Sequence, residues 1–262
     1  MRVGFLQFYP ELFHEKHNLM KIDEMIKGCE ADLLVLPELA TSGYAFTKRE
    51  ELASCAAPAH TGRIADFFRN LAKRENCAII TGFAEQSGEL FYNSQMLALP
   101  DGTIELYRKT HLFYKEKALF HPGDTGFNVY EFRGAKIGLM ICFDWIFPES
   151  VRSLALEGAE IICHSANLVL PYCQNAMITR SIENRVFTVT SNRVGYETNG
   201  NDEFLFTGMS QVTNPQGDVL IRSSGEEETL KVVEIQPEEA QNKWVTEKNN
   251  LFKDRRPNLY SL

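Results

Sequence analysis

The chain has 262 residues, 27 basic against 35 acidic side chains, a formal net charge of −8 and 44% hydrophobic residues. That length can bury a core without disulfide or metal staples, and the negative balance argues against a nucleic-acid partner. No apolar run nears the roughly 18 residues of a membrane-spanning helix.

The first segment, Val3-Gly4-Phe5-Leu6-Gln7-Phe8, reads as a strand. It lacks the charged start and apolar core of a signal peptide. Residues 16–29 place Leu19, Ile22, Ile26 and Cys29 three or four apart, the spacing of an amphipathic helix. Leu33 to Leu36 is then a buried strand. Thr61 is a candidate cap for a helix carrying Ile64, Phe67, Phe68 and Leu71 on one face. Strands are expected over 77–84, 91–99 and 103–108, with turns at Gln86-Ser87-Gly88-Glu89 and Pro100-Asp101-Gly102. A hairpin over 127–133 and 136–141 turns at Arg133-Gly134. After Cys142 the chain must turn sharply into a helix at about 148–157. A strand at 160–164, a helix at 173–184 and a strand at 186–191 follow. Meander-like strands over about 205–213, 218–223 and 229–235 close the pattern. No internal repeat or low-complexity linker divides the chain. Residues 1–262 are therefore read as one domain, with a polar tail from about 241 on the surface or against a second subunit. Alternating strands and helices followed by more strands suggest two sheets covered by helices.

Six cysteines occur, at 29, 55, 77, 142, 163 and 173, with neither a Cys-x-x-Cys pair nor zinc spacing. The expectation is a reduced, cytoplasmic protein needing neither metal nor cofactor. Three separated residues carry the chemistry. Glu38 closes the apolar run Leu33-Leu34-Val35-Leu36-Pro37. Lys109 sits in Tyr107-Arg108-Lys109-Thr110-His111. Cys142 ends Ile137-Gly138-Leu139-Met140-Ile141. A carboxylate, an ammonium and a thiol are the parts of thiol-based acyl transfer: proton shuttle, oxyanion partner and nucleophile. A thiol at a strand-to-helix turn lies near backbone N–H groups and the positive end of a helix, which lower its pKa. A carboxyl among apolar side chains has its pKa raised, which suits a general base. By pattern alone Cys163, another strand-end cysteine, is a rival to Cys142. By pattern alone Glu38 and Lys109 read better as solvated loop charges. Competing chemistries lack their parts: there is no Gly-x-Ser-x-Gly elbow, dinucleotide fingerprint or Walker loop.

Five blocks, in order, resemble the nitrilase superfamily of carbon–nitrogen hydrolases. They are Leu36-Pro37-Glu38-Leu39 with Ser42-Gly43-Tyr44; Tyr107-Arg108-Lys109-Thr110-His111-Leu112; Cys142-Phe143-Asp144 with Phe147-Pro148-Glu149; Ser165-Ala166-Asn167; and Arg180-Ser181-Ile182-Glu183-Asn184-Arg185. The resemblance runs from about residue 1 to about 235. It decides for Cys142 over Cys163, and implies Glu38 as base, Lys109 as oxyanion partner with the Phe143 N–H, and Glu116 as a second glutamate lining the site. Tyr44, Phe143, Trp145, Asn167 and Tyr172 become candidate substrate contacts, while Arg180, Glu183, Asn184 and Arg185 are read as structural or interface charges. The implied fold is a four-layer α-β-β-α sandwich that dimerises through helices. Val151, Leu154, Met177 and Ile178, on the helices at 148–157 and 173–184, are expected to be incompletely covered and to mark that interface. The implied reaction is hydrolysis of a small amide through a thioester. Nitrile hydrolysis and N-carbamoyl hydrolysis are alternatives, and a non-catalytic binding or scaffold protein is the alternative outside enzymology. The form Cys142-Phe143-Asp144-Trp145 resembles the amidase branch.

Overall fold

The computed structural model describes residues 1–260. The strands are β1 (Arg2–Gln7), β2 (Leu33–Val35), β3 (Ala78–Ser87), β4 (Leu90–Ala98), β5 (Ile104–Arg108), β6 (Val129–Phe132) and β7 (Ala135–Ile141) in the first part. They continue as β8 (Ile161–Ala166), β9 (Phe187–Asn192), β10 (Val194–Asn199), β11 (Asp202–Thr207), β12 (Gln211–Thr213), β13 (Val219–Arg222) and β14 (Thr229–Glu234). The helices are α1 (Glu15–Ile26), α2 (Arg49–Cys55), α3 (Gly62–Glu75), α4 (Glu116–Leu119), α5 (Pro148–Leu156) and α6 (Cys173–Asn184).

Two six-stranded sheets form, in the orders β14-β1-β2-β3-β4-β5 and β13-β12-β9-β8-β7-β6. Each has three parallel strands at its centre, β1-β2-β3 and β7-β8-β9, with antiparallel strands on both sides. Parallel strands buried on both faces read as continuous apolar runs, which is why Leu33–Val35 and Ile137–Ile141 lack alternation. The sheets pack face to face, β1 and β2 against β9 and β3 against β8. Hydroxyls stitch them together: Ser165 donates to the Leu36 carbonyl at 2.6 Å and Ser191 to the Leu6 carbonyl at 2.7 Å. The amphipathic faces of α1 and α3 cover the first sheet through Leu19, Ile22, Ile26, Ile64, Phe68 and Leu71. Val151, Leu154 and Met177 of α5 and α6 cover the second. The result is the expected α-β-β-α sandwich of two mixed sheets.

Several local expectations are corrected. The expected strand over 205–213 is broken at Gly208 and Met209, which have φ of 55° and 53°. Its first part belongs to a separate hairpin, β10–β11, unrecognised in the sequence. Thr61 occupies the cap position of α3 but makes no side-chain capping bond. Val151, Leu154 and Met177 are fully buried in their own subunit, so they cannot mark a dimer interface. The apolar residues left exposed around those helices are Ile146, Leu156, Tyr172 and Ile182. The described part of the polar tail lies mostly on the surface, as expected, and is tied down at two points. Lys243 donates to the carbonyls of Asn184 and Arg185, and Phe252 packs on the core.

Candidate active site

Strand direction gathers the site. Glu38 follows β2, Cys142 follows β7 and Asn167 follows β8, all at carboxyl ends of parallel strands, where open α/β sheets place their ligands. Lys109 follows β5, which runs in the same direction as β3. Two glycines allow the approach. A side chain at Gly82 would lie 2.5 Å from the Glu38 Cα, and one at Gly123 would lie 2.0 Å from the Arg108 carbonyl oxygen. Gly82 and Gly123 instead bond the Pro37 and Lys109 carbonyls, at 3.1 and 2.8 Å.

Glu38, Lys109 and Glu116 form one buried cluster. Lys109 Nζ lies 2.7 Å from Glu38 Oε1 and 2.8 and 2.7 Å from the two oxygens of Glu116. Asn93, on β4, donates to the same Glu38 oxygen at 2.7 Å. The other oxygen, Oε2, is buried with no partner in the protein, so this carboxylate has one fixed and one unengaged face. Tyr44 donates to Glu116 Oε1 at 2.8 Å, and the Phe113 N–H to Oε2 at 3.1 Å. Burial opposes the charge on Lys109, but Glu116 and Glu38 outweigh it and hold its pKa above the usual lysine range. Burial raises the Glu116 carboxyl, with Lys109 opposing.

Cys142 has φ of 39° and opens a tight 3-10 turn over Cys142–Ile146 before α5. A non-glycine residue there is strained by roughly 1–3 kcal/mol and needs the surroundings to hold it. Asp144 does much of this, accepting from the Ile141 N–H and the Tyr107 hydroxyl at 2.9 and 2.7 Å. Its second oxygen accepts from the His111 N–H at 3.2 Å and faces His111 Nδ1 at 2.7 Å. His164 Nε2 lies 3.0 Å from the Cys142 carbonyl, and Arg180 donates to the Trp145 carbonyl at 3.2 Å. The expectation of a lowered thiol pKa is corrected. Burial pushes the Cys142 thiol well up, Glu38 and Glu116 add to this, and Lys109 and the Asn167 N–H only partly oppose it. Two carboxyl groups and one ammonium face this thiol in a dry site, which favours its neutral form. The rival Cys163 is fully buried inside β8, away from the cavity.

Cys142, Phe143, Trp145 and Asn167 line one small cavity of about 20 Å³. Phe113, Leu168, Val169 and Leu170, none singled out in the sequence, complete its walls. Asn167 is 3% exposed and neither atom of its amide has a protein partner. Tyr44 and Glu116 line a second, neighbouring cavity of about 20 Å³. Tyr172 is not brought in. It is 63% exposed at the start of α6, with Leu168–Leu170 taking the wall it was expected to form. Arg108 and Lys115, near Lys109 in sequence, are paired with Glu85 and Asp124 and with Asp202. Among the described residues, no group of three or more His, Cys, Asp or Glu is placed to hold a metal ion. No described helix is long and apolar enough to cross a membrane.

Sequence comparison agrees with this geometry. The family model described as carbon-nitrogen hydrolase matches residues 2–243. The chain belongs to the carbon–nitrogen hydrolase family. It is 42% identical to a nitrilase of Pyrococcus abyssi over 99% of both chains. An (R)-stereoselective amidase of a Pseudomonas species is 37% identical over 90% of this chain and 85% of its own. A carbon–nitrogen hydrolase structure from Helicobacter pylori G27 superposes with a TM-score of 0.84 at 28% identity, covering 99% of this chain and 97% of the other. The chain is thus a hydrolase acting on carbon–nitrogen bonds other than peptide bonds, and the non-catalytic alternative is set aside.

Proposed function

We propose that this hydrolase cleaves small, neutral amides of apolar acyl groups through a thioester on Cys142. The observation that carries the reading is the divided carboxylate of Glu38: Oε1 is fixed by Lys109 and Asn93, while Oε2 is buried and unengaged in the cluster that faces the Cys142 thiol. Oε2 takes the thiol proton as sulfur attacks the carbonyl carbon. The oxyanion is met by the Lys109 ammonium and the Phe143 N–H. Glu38 returns the proton to the leaving ammonia or amine, then activates the water that cleaves the thioester to the carboxylate. Splitting one difficult step into two in this way is the gain of covalent catalysis. The unpartnered amide of Asn167 would bond the substrate's amide, and the aromatic and aliphatic walls would take a short acyl chain. The chain works in this reading as a homodimer, paired through the exposed apolar residues near α5 and α6.

A nitrile substrate is the second reading, favoured by the likeness to the Pyrococcus abyssi nitrilase. The same cysteine would then form a thioimidate. Ammonia release from matched amide and nitrile pairs, with carbamoyl amines alongside, separates these. A short aliphatic amide should show the higher kcat/KM. A tenfold nitrile preference, about 1.4 kcal/mol in transition-state binding, would replace the amide reading with the nitrile one.

A further inference from the structure

A second fully buried ion pair, Arg193–Glu197, lies outside the Glu38–Lys109–Cys142 cluster and takes no part in the chemistry above. We propose that Glu197 is a positioning residue for that cluster, acting through Tyr44 and Glu116. The inference rests on the catalytic reading just given.

The side chains of Arg193 and Glu197 are 0% and 1% exposed, with Nη1 and Oε2 2.9 Å apart. Replacing a buried ion pair with well-packed apolar groups is often neutral or stabilising, so stability alone does not account for this one. The carboxylate provides something apolar side chains cannot. Its Oε1 accepts from two successive backbone N–H groups, Tyr44 at 2.8 Å and Ala45 at 2.7 Å. Arg193 Nη1 donates to the other oxygen, Oε2, and fixes the carboxylate from that side. The other terminal nitrogen of Arg193, Nη2, donates to the Pro10 carbonyl at 2.9 Å.

The β10–β11 hairpin therefore grips Tyr44 at both ends. Glu197, on β10, holds the backbone. Phe204 and Phe206, on β11, meet the ring edge-on at 5.4 and 5.9 Å. The guanidinium of Arg193 lies 4.1 Å from the Phe206 ring centroid, closing the assembly. Held this way, the Tyr44 hydroxyl reaches Glu116 Oε1 at 2.8 Å, and both Glu116 oxygens face Lys109 Nζ. Burial and the Glu116 charge hold the phenol well above its ordinary pKa, so it stays a donor near neutral pH. If Tyr44 shifts, Glu116 is left with the Phe113 N–H and Lys109 alone, and the ammonium loses its fixed aim.

The test uses Glu197→Asp, which keeps the charge but is one methylene short of the Tyr44 and Ala45 N–H groups. Tyr44→Phe, which keeps the ring but not the hydroxyl, and the double variant complete the cycle. Each single change should lower kcat at least tenfold with KM altered less than threefold, and the double variant should be no worse than the poorer single. Glu197→Gln should be as impaired as Glu197→Asp, since it leaves Arg193 uncompensated; should it not fold, the other three variants decide. A second readout needs no substrate: the pH profile of iodoacetamide modification, mapped at Cys142 by mass spectrometry. The groups facing that thiol are Glu38, Lys109, Glu116 and the Asn167 N–H. Glu197→Asp and Tyr44→Phe should displace the profile alike. Multiplicative losses in the double variant, or an unchanged profile with only a lower Tm, would reduce Glu197 to a structural role. Absence of turnover in the wild-type protein would sink the proposed function instead, leaving the alkylation result to judge Glu197.

Discussion

Asp144→Asn is expected to loosen the turn that presents Cys142, and the size of the effect can be worked from four contacts. One carboxylate oxygen of Asp144 accepts from the Ile141 N–H and the Tyr107 hydroxyl; the other accepts from the His111 N–H and faces its Nδ1. The substitution keeps shape and volume but turns one acceptor into an NH2 group facing donors. Whichever way the amide is placed, one backbone N–H, of Ile141 or of His111, loses its acceptor. Two bonds to a charged group are lost, each worth about 1.5–3 kcal/mol. Rotation of the Tyr107 hydroxyl or a change of His111 tautomer recovers part of this, leaving about 3 kcal/mol. At roughly 2–4 °C per kcal/mol for a chain of this size, Tm should fall by about 6–12 °C. Turnover should drop at least tenfold, because the positive-φ geometry at Cys142 loses its main restraint. Scanning fluorimetry and ammonia release measure the two effects. A Tm within about 2 °C of wild type would refute the claim that these contacts hold the turn.

Burial pushes His164 down to about 4 from an ordinary 6.5. The unfolded chain then takes up this proton before the folded one, so the stability it carries is complete above pH 6.5 and is lost as pH falls toward 4. That loss is roughly 3 kcal/mol at 1.36 kcal/mol per unit. His164→Gln should flatten that part of the urea-stability profile, and equal slopes in both proteins would contradict the assignment. Two thiols should react with iodoacetamide: Cys142, whose proton Glu38 is placed to take as sulfur attacks in the proposed mechanism, and half-buried Cys29, whose pKa is lowered to about 7 by a hydrogen bond from the Cys77 thiol. Modification of Cys142 alone should track loss of turnover; Cys142→Ala should be inactive and Cys29→Ala active, and the reverse result would move the nucleophile. Light scattering at micromolar concentration should give at least a dimer mass. A monomer would mean that Ile146, Leu156 and Ile182 are simply exposed.

Much of the layer structure was legible because the strands are buried on both faces and the covering helices are amphipathic. Apolar runs at Leu33–Val35 and Ile137–Ile141, and three-and-four spacing in α1 and α3, survive any detail of packing. What was lost follows a physical rule too. The four residues of α4 are too few to show a period, and the β10–β11 hairpin exposes Tyr196 and Leu205, so its alternation does not read as core. Asn93 was passed over because an asparagine inside a strand carries no local signal; its role comes from Glu38, 55 positions away.

The sequence by itself carried the family resemblance, suggested two sheets covered by helices, and through that resemblance pointed to Glu38, Lys109 and Cys142, because motif order and hydrophobic period are properties of the chain. It could not determine the state of those residues. A charge costs little on a loop and a great deal in a dry interior, and which applies depends on partners distant in sequence. Tertiary structure alone places Lys109 between two carboxylates 71 and 7 positions away. It leaves one oxygen of Glu38 unengaged and lifts the Cys142 thiol where local reasoning lowered it. It also turns Tyr172 out to solvent and brings Leu168–Leu170 into the cavity wall. It closes the buried pair of Arg193 and Glu197, only four positions apart but at the junction of two strands where no helical spacing announces it. Burial is a property of the folded whole, and with it go the proton affinities on which the chemistry depends.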